Sequence, residues 1–385
     1  MPRWWRPGRG PLIGASALIQ ASQRPLGRSY FRRLRRGGAA PTLAFVSPHQ
    51  NKERPMKAFV LDSYGSPDAL KLTELPRPVP GPGEVLVRVR ATSVQPFDWH
   101  LMRGEPRLAR LMPGGPGLFR PSLPILGADV AGVVEETGPG VTEVAPGDEV
   151  YAMSGGGGFG EYAAVKVADL APKPRTLSFE EAAAVPMAAQ TALLALRDDG
   201  GLEEGQRVLV NGASGGVGTF TVQLARAFGG KVTAVCSPAN LDLVRSLGAE
   251  EVVDYTKEDV LGLGRRFDLV VDVAGSHPGR AYRRLIRPKG RHVQVGGRGS
   301  RWLQPMGRMF GTLAAAPFLP HQVALTNGPW KETRRNLITL GALIDADEVR
   351  PVIDRRYTFE EIPAAVRYQE EGHARGKVVV TVTES

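Results

Sequence analysis

The feature that most restricts the fold is a glycine-rich stretch at residues 207–219. It begins with an apolar run at 208–210, which is typical of a buried parallel strand. Apolar residues then recur at helical spacing over 220–228. Between the two runs lie four glycines: Gly212, Gly215, Gly216 and Gly218. The stretch therefore predicts a strand, a glycine turn and a helix whose N-terminal N–H groups face an anion.

This turn meets the dinucleotide-binding pattern as Ala213-x-Gly215-x-x-Gly218, with alanine in the first place. A tight turn without a ligand is the alternative interpretation of such glycines. The sequence around the turn favours the dinucleotide-binding interpretation, because strand and helix patterns alternate and predict a doubly wound parallel sheet. The expected strands are 231–236, 251–253, 267–273, 291–295 and 322–326, and the expected helices are 239–247 and 278–286.

The net charge of +10 resembles that of a nucleic-acid-binding protein until its position is considered. Residues 1–55 contain 11 Lys and Arg and a single acid, Glu53, so residues 56–385 carry 38 basic and 38 acidic side chains. The predicted folded part is neutral, which removes the argument for a nucleic-acid partner. No apolar run is long enough to span a membrane.

Residues 1–55 allow three interpretations. They are either disordered sequence upstream of the true start at Met56, an Arg-rich and acid-poor mitochondrial leader, or a secretory signal built on the short apolar run 12–19. The third is disfavoured because Arg-rich sequence follows the apolar run. Localisation depends on this choice: we expect a cytoplasmic protein, with a mitochondrial one as the alternative.

From Met56 to about Ser178, short strand patterns alternate with Gly and Pro and predict an irregular, mostly β domain. Residues 106–124 form a long turn-rich loop with several apolar side chains, so they are expected to be a surface loop or a functional cover. A helical region at 179–196 is interrupted at Pro186. The segment after 328 is expected to return to the β domain, with strands at 349–356 and 376–382.

The second strand of the predicted sheet bears on the choice of cofactor. An acid about 20 residues past the glycines would bind a ribose hydroxyl of NAD, but Ser237 occupies that place and no carboxylate occurs before Asp242. This favours NADPH, whose 2′-phosphate an acid would repel. Arg245 could contact that phosphate or could be a solvated helix residue.

Several motifs in order show that the chain resembles the zinc-free quinone oxidoreductase branch of the medium-chain dehydrogenase/reductase superfamily, from Met56 to the C-terminus. The motifs are 65–72, 80–89, 126–132, 146–150, 160–162, the glycine turn, 247–249, 254–255 and 373–377. The resemblance implies a GroES-like domain at 56–179 and 328–385 and a Rossmann NADP-binding domain at 180–327. It also implies a homodimer that pairs through the sixth strand of the sheet.

The expected cofactor-binding residues come from the turn, the strand ends and the resemblance. Carboxyl ends of parallel strands bind ligands in doubly wound sheets. The resemblance adds Thr191 beside the nicotinamide, Tyr255 beside the adenosine phosphate, and the end of the sixth strand beside the carboxamide. The full set is Thr191, Ala213, Ser214, Gly215, Gly216, Val217, Gly218, Ser237, Asn240, Tyr255, Val273, Ala274, Gly275, Val295, Gly296, Leu325, Thr326 and Asn327. Asn240 stands where some relatives carry a lysine for the phosphate.

Zinc is not expected. Where zinc-dependent relatives have Gly-His-Glu, this chain has Gly127, Ala128 and Asp129, and Ala128 offers no donor atom. A single cysteine, Cys236, also excludes an intrachain disulfide and any multi-cysteine zinc site. Without a Lewis acid, a substrate activated by conjugation is expected.

The candidate catalytic residues are Gln95, Asp98, His100 and Tyr64. The family motif Asn-Pro-x-Asp is present here with Gln95 in place of asparagine. Asp98 is expected to be a structural hydrogen-bond acceptor rather than a base. His100 or Tyr64 could donate a proton to an enolate oxygen, although a packing or surface role is open for both.

Together these observations predict an NADPH-dependent reductase that transfers a hydride to a quinone or an α,β-unsaturated carbonyl without zinc. The alternatives are an alcohol or carbonyl dehydrogenase and a non-catalytic NADPH-binding protein. The sequence does not specify the substrate, whose pocket we expect to be shaped by 106–124 and by 302–318, which has an apolar, turn-rich pattern.

Overall fold

The computed structural model describes residues 55–111, 115–296, 306–326 and 331–382. The predictions for residues 1–54 and for Asn327 lie outside this range. The described chain forms a mostly β part and a doubly wound α/β part. The predicted fold class, a Rossmann sheet with a GroES-like domain, is therefore confirmed.

The β part has nine strands in two sheets. They are β1 (Pro55–Leu61), β2 (Leu70–Pro76), β3 (Glu84–Val94), β4 (Asp129–Thr137), β5 (Glu149–Met153), β6 (Tyr162–Lys166), β7 (Leu170–Pro172), β14 (Ile353–Thr358) and β15 (Lys377–Thr381). β1 and β2 form an antiparallel pair. The others form one sheet in the order β14-β15-β3-β4-β5-β7, with β6 also paired to β3. The C-terminal strand β15 thus lies beside β3, about 280 positions earlier in the chain.

The α/β part has six parallel strands in the order β10-β9-β8-β11-β12-β13. They are β8 (Arg207–Asn211), β9 (Lys231–Cys236), β10 (Glu251–Asp254), β11 (Phe267–Asp272), β12 (Ile286–Gln294) and β13 (Gln322–Leu325). This order reverses between β8 and β11, which creates the crevice where such sheets bind ligands.

Eight helices accompany these strands in the described part of the chain. They are α1 (Pro96–Arg103), α2 (Phe179–Ala183), α3 (Pro186–Arg197), α4 (Gly216–Ala227), α5 (Leu241–Ser246), α6 (Met306–Ala315), α7 (Thr333–Asp345) and α8 (Ile362–Glu370). The predicted break at Pro186 separates α2 from α3, because proline there removes a backbone donor. None of these helices has both the length and the apolar character needed to cross a bilayer.

The strand β8 explains how the turn is held. Val208 and Val210 are fully buried against one layer, whereas Leu209 is fully buried against the other, so both faces of the strand are covered. Each such side chain contributes roughly 1.5–3 kcal/mol to folding. The first layer also contains Ala91 and Tyr151 from the β part, so one core joins both parts.

The two parts also meet at the glycine turn itself. The N–H of Gly376 donates to Ser214 O at 2.9 Å, and Gly215 and Gly376 form a parallel bridge. Gly376 has φ +87°, where a Cβ atom would lie 2.3 Å from Val352 O, so the position requires glycine. This contact places β15, and Lys377 at its start, beside the turn.

Several local predictions were wrong. The helix expected at 278–286 is a 3₁₀ turn, Gly279–Arg284, and the following strand begins at Ile286 rather than at 291. The segment 302–318 has an apolar, turn-rich pattern, but it contains the helix α6. A Cβ atom at Gly279 would lie 2.4 Å from Thr312, so the glycine permits α6 to pack against this 3₁₀ turn.

Candidate active site

The glycine turn shows two kinds of glycine. A Cβ atom at Gly218 would lie 2.1 Å from Gly212 O, so this glycine is required by packing within the protein. At Gly215 the nearest atom to a Cβ would be Gly212 O at 3.7 Å, so no packing contact requires a glycine there. The open space above Gly215 lies beside the N-terminus of α4, where N–H groups point outward. This geometry fits a phosphate better than it fits a purely structural turn.

The ribose end of the site is a cluster of small polar groups. Asn240 Nδ2 donates to Ser214 Oγ at 3.1 Å and to Ser237 Oγ at 3.0 Å. Both amide hydrogens are thereby used, and each hydroxyl retains its own hydrogen for another acceptor. Arg245 pairs with Asp242 at 3.0 Å, and Tyr255 is 60% exposed after β10. The sequence prediction did not foresee that Asn240 organises the two serines.

The carboxyl ends of β11 and β12 are joined to β8 through backbone bonds. The N–H groups of Val273 and Ala274 donate to Asn211 O, and those of Val295 and Gly296 donate to Asp272 O. Asn211 Nδ2 also donates to Asp272 Oδ1 at 2.8 Å. Gly275 follows with φ +59° and donates its N–H to the same carboxylate oxygen. The predicted strand-end residues therefore lie together at one edge of the sheet.

The end of β13 is partly described. Thr326 donates its N–H to Gln294 O at 3.0 Å, and its hydroxyl donates to an Asp199 carboxylate oxygen in a short bond. Its hydroxyl donor is thus used inside the protein. Leu325, the last residue of β13, is partly buried.

A buried polar network lies beside the turn on the β side. Lys377 Nζ donates to Gln95 Oε1 at 2.8 Å and lies 3.5 Å from Asp129 Oδ2. Asp129 also accepts from Ser93 Oγ at 2.9 Å and from the N–H of Met187 at 3.0 Å. The burial of both charged groups lowers the pKa of Lys377 and raises that of Asp129, while their mutual attraction opposes both shifts.

This network fixes the orientation of the Gln95 amide. An ammonium group can only donate, so it bonds the oxygen Oε1, and Nε2 is left as the donor on the other side of the amide. Nε2 is buried and has no partner, which costs about 1–3 kcal/mol in the absence of a ligand. Lys377 also packs within 3.2 Å of the place where a Cβ atom of Gly216 would lie. The sequence prediction had used Lys377 only as part of a family motif.

Asp98 has the geometry of a hydrogen-bond acceptor. Its carboxylate accepts N–H bonds from Gln95 at 3.0 Å, Gly127 at 3.1 Å and Ala128 at 3.2 Å. Burial raises the pKa of Asp98 to about 7, although these bonds favour the ionised form. It caps α1 and ties that helix to the loop before β4.

The two candidate proton donors, Tyr64 and His100, lie in different surroundings. The Tyr64 hydroxyl has one hydrogen to donate and lies 2.6 Å from both Pro116 O and Gly117 O. His100 stacks on Trp99 with ring centroids 3.7 Å apart, and burial lowers the pKa of His100 to about 4. Its imidazole is therefore neutral at pH 7, and its Nδ1 is buried without a partner among the described residues.

Thr191 and Ala128 lie on the wall between the two parts. Thr191 Oγ1 donates to Met187 O at 2.7 Å, one turn earlier on α3, and Met187 contacts the Asp129 carboxylate through its N–H. Ala128 is fully buried in a small cluster with Met153 and Met187. In the described ranges, no group of three His, Cys, Asp or Glu side chains is arranged to hold a metal.

Comparison with known proteins agrees with this geometry. The model of the alcohol dehydrogenase GroES-like domain matches residues 81–175, and that described as zinc-binding dehydrogenase matches 247–380. The chain is 35% identical over 376 residues to the mouse protein named NAD(P)H oxidoreductase RTN4IP1, mitochondrial, covering 89% of this chain and 93% of the relative.

Two further relatives support the assignment. The Arabidopsis thaliana chloroplast envelope quinone oxidoreductase homolog is 33% identical, covering 84% of this chain and 98% of the relative. The structure of the quinone oxidoreductase from Coxiella burnetii superposes with a TM-score of 0.74 at 29% identity, covering 86% of this chain and all of that one. The chain belongs to the quinone-oxidoreductase-like branch of the medium-chain dehydrogenase/reductase superfamily.

Proposed function

We propose that this protein is an NADPH-dependent oxidoreductase that transfers a hydride to a quinone or an α,β-unsaturated carbonyl without zinc. The observation that carries the proposal is the junction between the open glycine turn and the buried Gln95–Lys377 network. It places an anion-binding helix end next to an oriented hydrogen-bond donor. The names of the relatives, which include quinone oxidoreductases and an Arabidopsis NADPH-dependent alkenal/one oxidoreductase, support the substrate class.

The residues that would hold NADPH are those of the turn and the strand ends. When bound, the cofactor supplies a hydride. The N–H groups at the start of α4 would bind its pyrophosphate, and the hydroxyls of Ser214 and Ser237 would donate to its 2′-phosphate. The three side chains of this cluster, those of Ser214, Ser237 and Asn240, are hydroxyls and an amide, so none is a carboxylate that would bind a ribose diol instead. A nicotinamide cofactor with a 2′-phosphate is therefore the proposed ligand.

Gln95 is the proposed donor to the substrate oxygen. Hydride addition to a conjugated carbonyl places negative charge on that oxygen, and the Nε2 hydrogens, oriented by Lys377, would stabilise it. Because Nε2 is covered in the described structure, the substrate must displace a neighbouring side chain. The flexible side chains of Met153 and Met187 line this wall. The proton is proposed to come from solvent, since the hydroxyl of Tyr64 is used and His100 is neutral.

Zinc independence rests on the donor set. Ala128 stands where zinc-dependent relatives have a histidine ligand. Cys236, the single cysteine, is buried, and burial raises the pKa of its thiol to about 11. A cysteine binds zinc as a thiolate, and this environment disfavours that form of Cys236. Elemental analysis of purified protein is expected to find no stoichiometric zinc, and a chelator is expected to leave activity unchanged. Stoichiometric zinc whose removal abolishes turnover would contradict this proposal.

The activity is tested by the loss of NADPH absorbance with a panel of quinones, enones and simple ketones. We expect turnover with quinones or enones and none with ketones, because an unconjugated carbonyl needs stronger polarisation. Turnover of ketones or alcohols would favour the dehydrogenase alternative. NADPH binding without oxidation across the panel would favour a non-catalytic binding protein.

Assembly and localisation are also proposals. β13 is an edge strand among the described strands, and the neighbouring α6 exposes Phe310 and Leu313, so we propose a homodimer that pairs along this edge. Light scattering on the purified protein should give twice the chain mass. The mitochondrial names of several relatives support the leader interpretation of residues 1–55 over the cytoplasmic expectation. A fluorescent fusion with and without those residues distinguishes the two.

A further inference from the structure

The turn between α1 and β4 exposes apolar side chains at its tip. Phe119 is 85% exposed, Leu118 is 48% exposed, and Leu111 on the preceding segment is 68% exposed. Single exposed apolar residues are common, but three on two segments that share contacts with Tyr64 are a patch that usually meets another surface. We call the described residues Arg107, Leu108, Leu111, Leu118, Phe119 and Arg120 the apolar tip.

The exposure is imposed by the structure beneath it. The hydroxyl of Tyr64 contacts three carbonyl oxygens of the turn, those of Pro116, Gly117 and Arg120. The N–H of Ser122 donates to Pro116 O at 2.8 Å and closes the turn. Gly117 has φ +103°, and a Cβ atom there would lie 2.2 Å from Arg120 O, so the turn needs glycine. Leu118 and Phe119 are therefore presented by a closed turn.

Tyr64 holds the other half of the tip as well. The guanidinium of Arg110 lies 3.8 Å from the centroid of the Tyr64 ring and donates to Gly104 O and Arg103 O. Arg110 is thus turned inward, while Leu111 beside it is exposed. One aromatic side chain organises both segments of the tip and keeps them close together.

The charge of the tip has one sign. Between Glu105 and Asp129 the chain contains three arginines and no acid, although residues 56–385 as a whole are neutral. Arg110 is used internally, and Arg103 pairs with Glu370 at 2.7 Å. Arg107 and Arg120 are exposed beside the apolar residues. Apolar side chains flanked by exposed cations match a surface that is apolar inside and anionic at its boundary.

We propose that the apolar tip docks on the surface of an anionic lipid bilayer. Phe119, Leu118 and Leu111 would enter the boundary between headgroups and acyl chains, and Arg107 and Arg120 would contact lipid phosphates. The same contact would bring the cleft near lipid-soluble quinones. Docking requires no turnover, so its test is separate from that of the proposed reaction.

The test is flotation of the full chain with vesicles of phosphatidylcholine alone and with about one third phosphatidylglycerol. We expect binding to the anionic vesicles that falls as salt rises, and at least about tenfold weaker binding for Phe119→Asp. Phe318 is the matched control, because it is 86% exposed and no charged residue occurs within 309–320. Phe318→Asp is expected to bind like the unchanged protein, and NADPH binding reports that each variant is folded.

Three results would overturn the proposal. The first is failure of the unchanged protein to bind either vesicle. The second is equal loss of binding in Phe119→Asp and Phe318→Asp. In the third, Phe119→Asp binds vesicles normally but raises KM for a water-soluble quinone or changes the oligomeric mass, which would make the tip a substrate cover or a subunit contact.

Discussion

Replacing Lys377 with methionine tests the buried network that joins the two parts of the molecule. Methionine retains the length of the side chain but removes the ammonium that bonds Gln95 Oε1 at 2.8 Å and faces Asp129 Oδ2 at 3.5 Å. Asp129 is fully buried, so its carboxylate would lose the cation that faces it while retaining the bonds from Ser93 and Met187. The variant therefore isolates the charge from the packing.

The expected loss is large. Breaking a buried ion pair by removing one partner costs about 3–5 kcal/mol, against a total stability of about 5–15 kcal/mol for a typical protein. The pKa of Asp129 is already raised by burial, and loss of Lys377 raises it further. A raised pKa favours the protonated carboxyl in the folded state, so the deficit should shrink as pH falls and grow as pH rises.

The measurement is urea unfolding of the two proteins at about pH 5.5 and about pH 8, because the deficit is expected to be smaller at the lower pH. The double variant Lys377→Met with Asp129→Asn should recover much of the loss, because no unpaired charge remains. A matched control is Gln95→Leu, which removes the amide but leaves the ion pair.

The same Gln95→Leu variant should lower kcat for quinone reduction far more than it changes NADPH affinity.

Two outcomes would refute this reasoning. One is a loss below about 1 kcal/mol for Lys377→Met, which is typical of exposed pairs. The other is a loss that stays the same at both pH values, which would place the effect in packing rather than in charge.

Three further predictions follow from single sites. His292 is fully buried, neither of its ring nitrogens has a partner among the described residues, and burial lowers its pKa from 6.5 to about 3. Acidification from pH 7.5 to 5 should therefore lower the unfolding free energy by about 2 kcal/mol, and His292→Phe should not show this loss. Equal pH dependence in both proteins would contradict this. Ser237→Asp should weaken NADPH binding by at least about tenfold and leave NADH binding unchanged, because a carboxylate repels the 2′-phosphate. Cofactor fluorescence measures both affinities. An unchanged preference for NADPH over NADH would show that the 2′-phosphate does not bind at Ser237. Gly218→Ala should lower the unfolding midpoint, because a Cβ atom at Gly218 would collide with the protein. Gly215→Ala should fold normally but lose NADPH affinity, because its Cβ atom would enter the space proposed for the phosphate. Normal NADPH binding by Gly215→Ala would mean that the phosphate binds elsewhere.

The sequence was most informative where one physical pattern dominates. The apolar run before the glycines and the alternation after them required a parallel sheet. Five of its six strands lie where the pattern predicted them to within about two residues, whereas β12 begins at Ile286 rather than at 291. The pattern was weak where residues are held by tertiary contacts. The segment 302–318 contains a helix that packs on Gly279. Arg308 is its one charged residue, and nothing in its composition distinguishes a helix from a loop.

The candidate site shows the same division. The position of the turn could be predicted, because glycine spacing is local. The role of Lys377 could not, because it depends on strand β15 pairing with β3 from the opposite end of the chain. Tyr64 and His100 were chosen for their chemistry, and the structure shows that their immediate contacts limit what each can donate. A signal existed for Lys377, since it is a lysine at the start of an apolar strand, where an unpaired charge is costly.

The central claim is hydride transfer from NADPH to a conjugated acceptor by a site without metal. It is tested most directly by following NADPH absorbance with a quinone, using protein whose metal content has been measured and reduced by a chelator. The account predicts sustained oxidation of NADPH, faster than that of NADH, with no stoichiometric zinc. Turnover that appears only when zinc is restored, or bound NADPH that no quinone or enone oxidises, would contradict it.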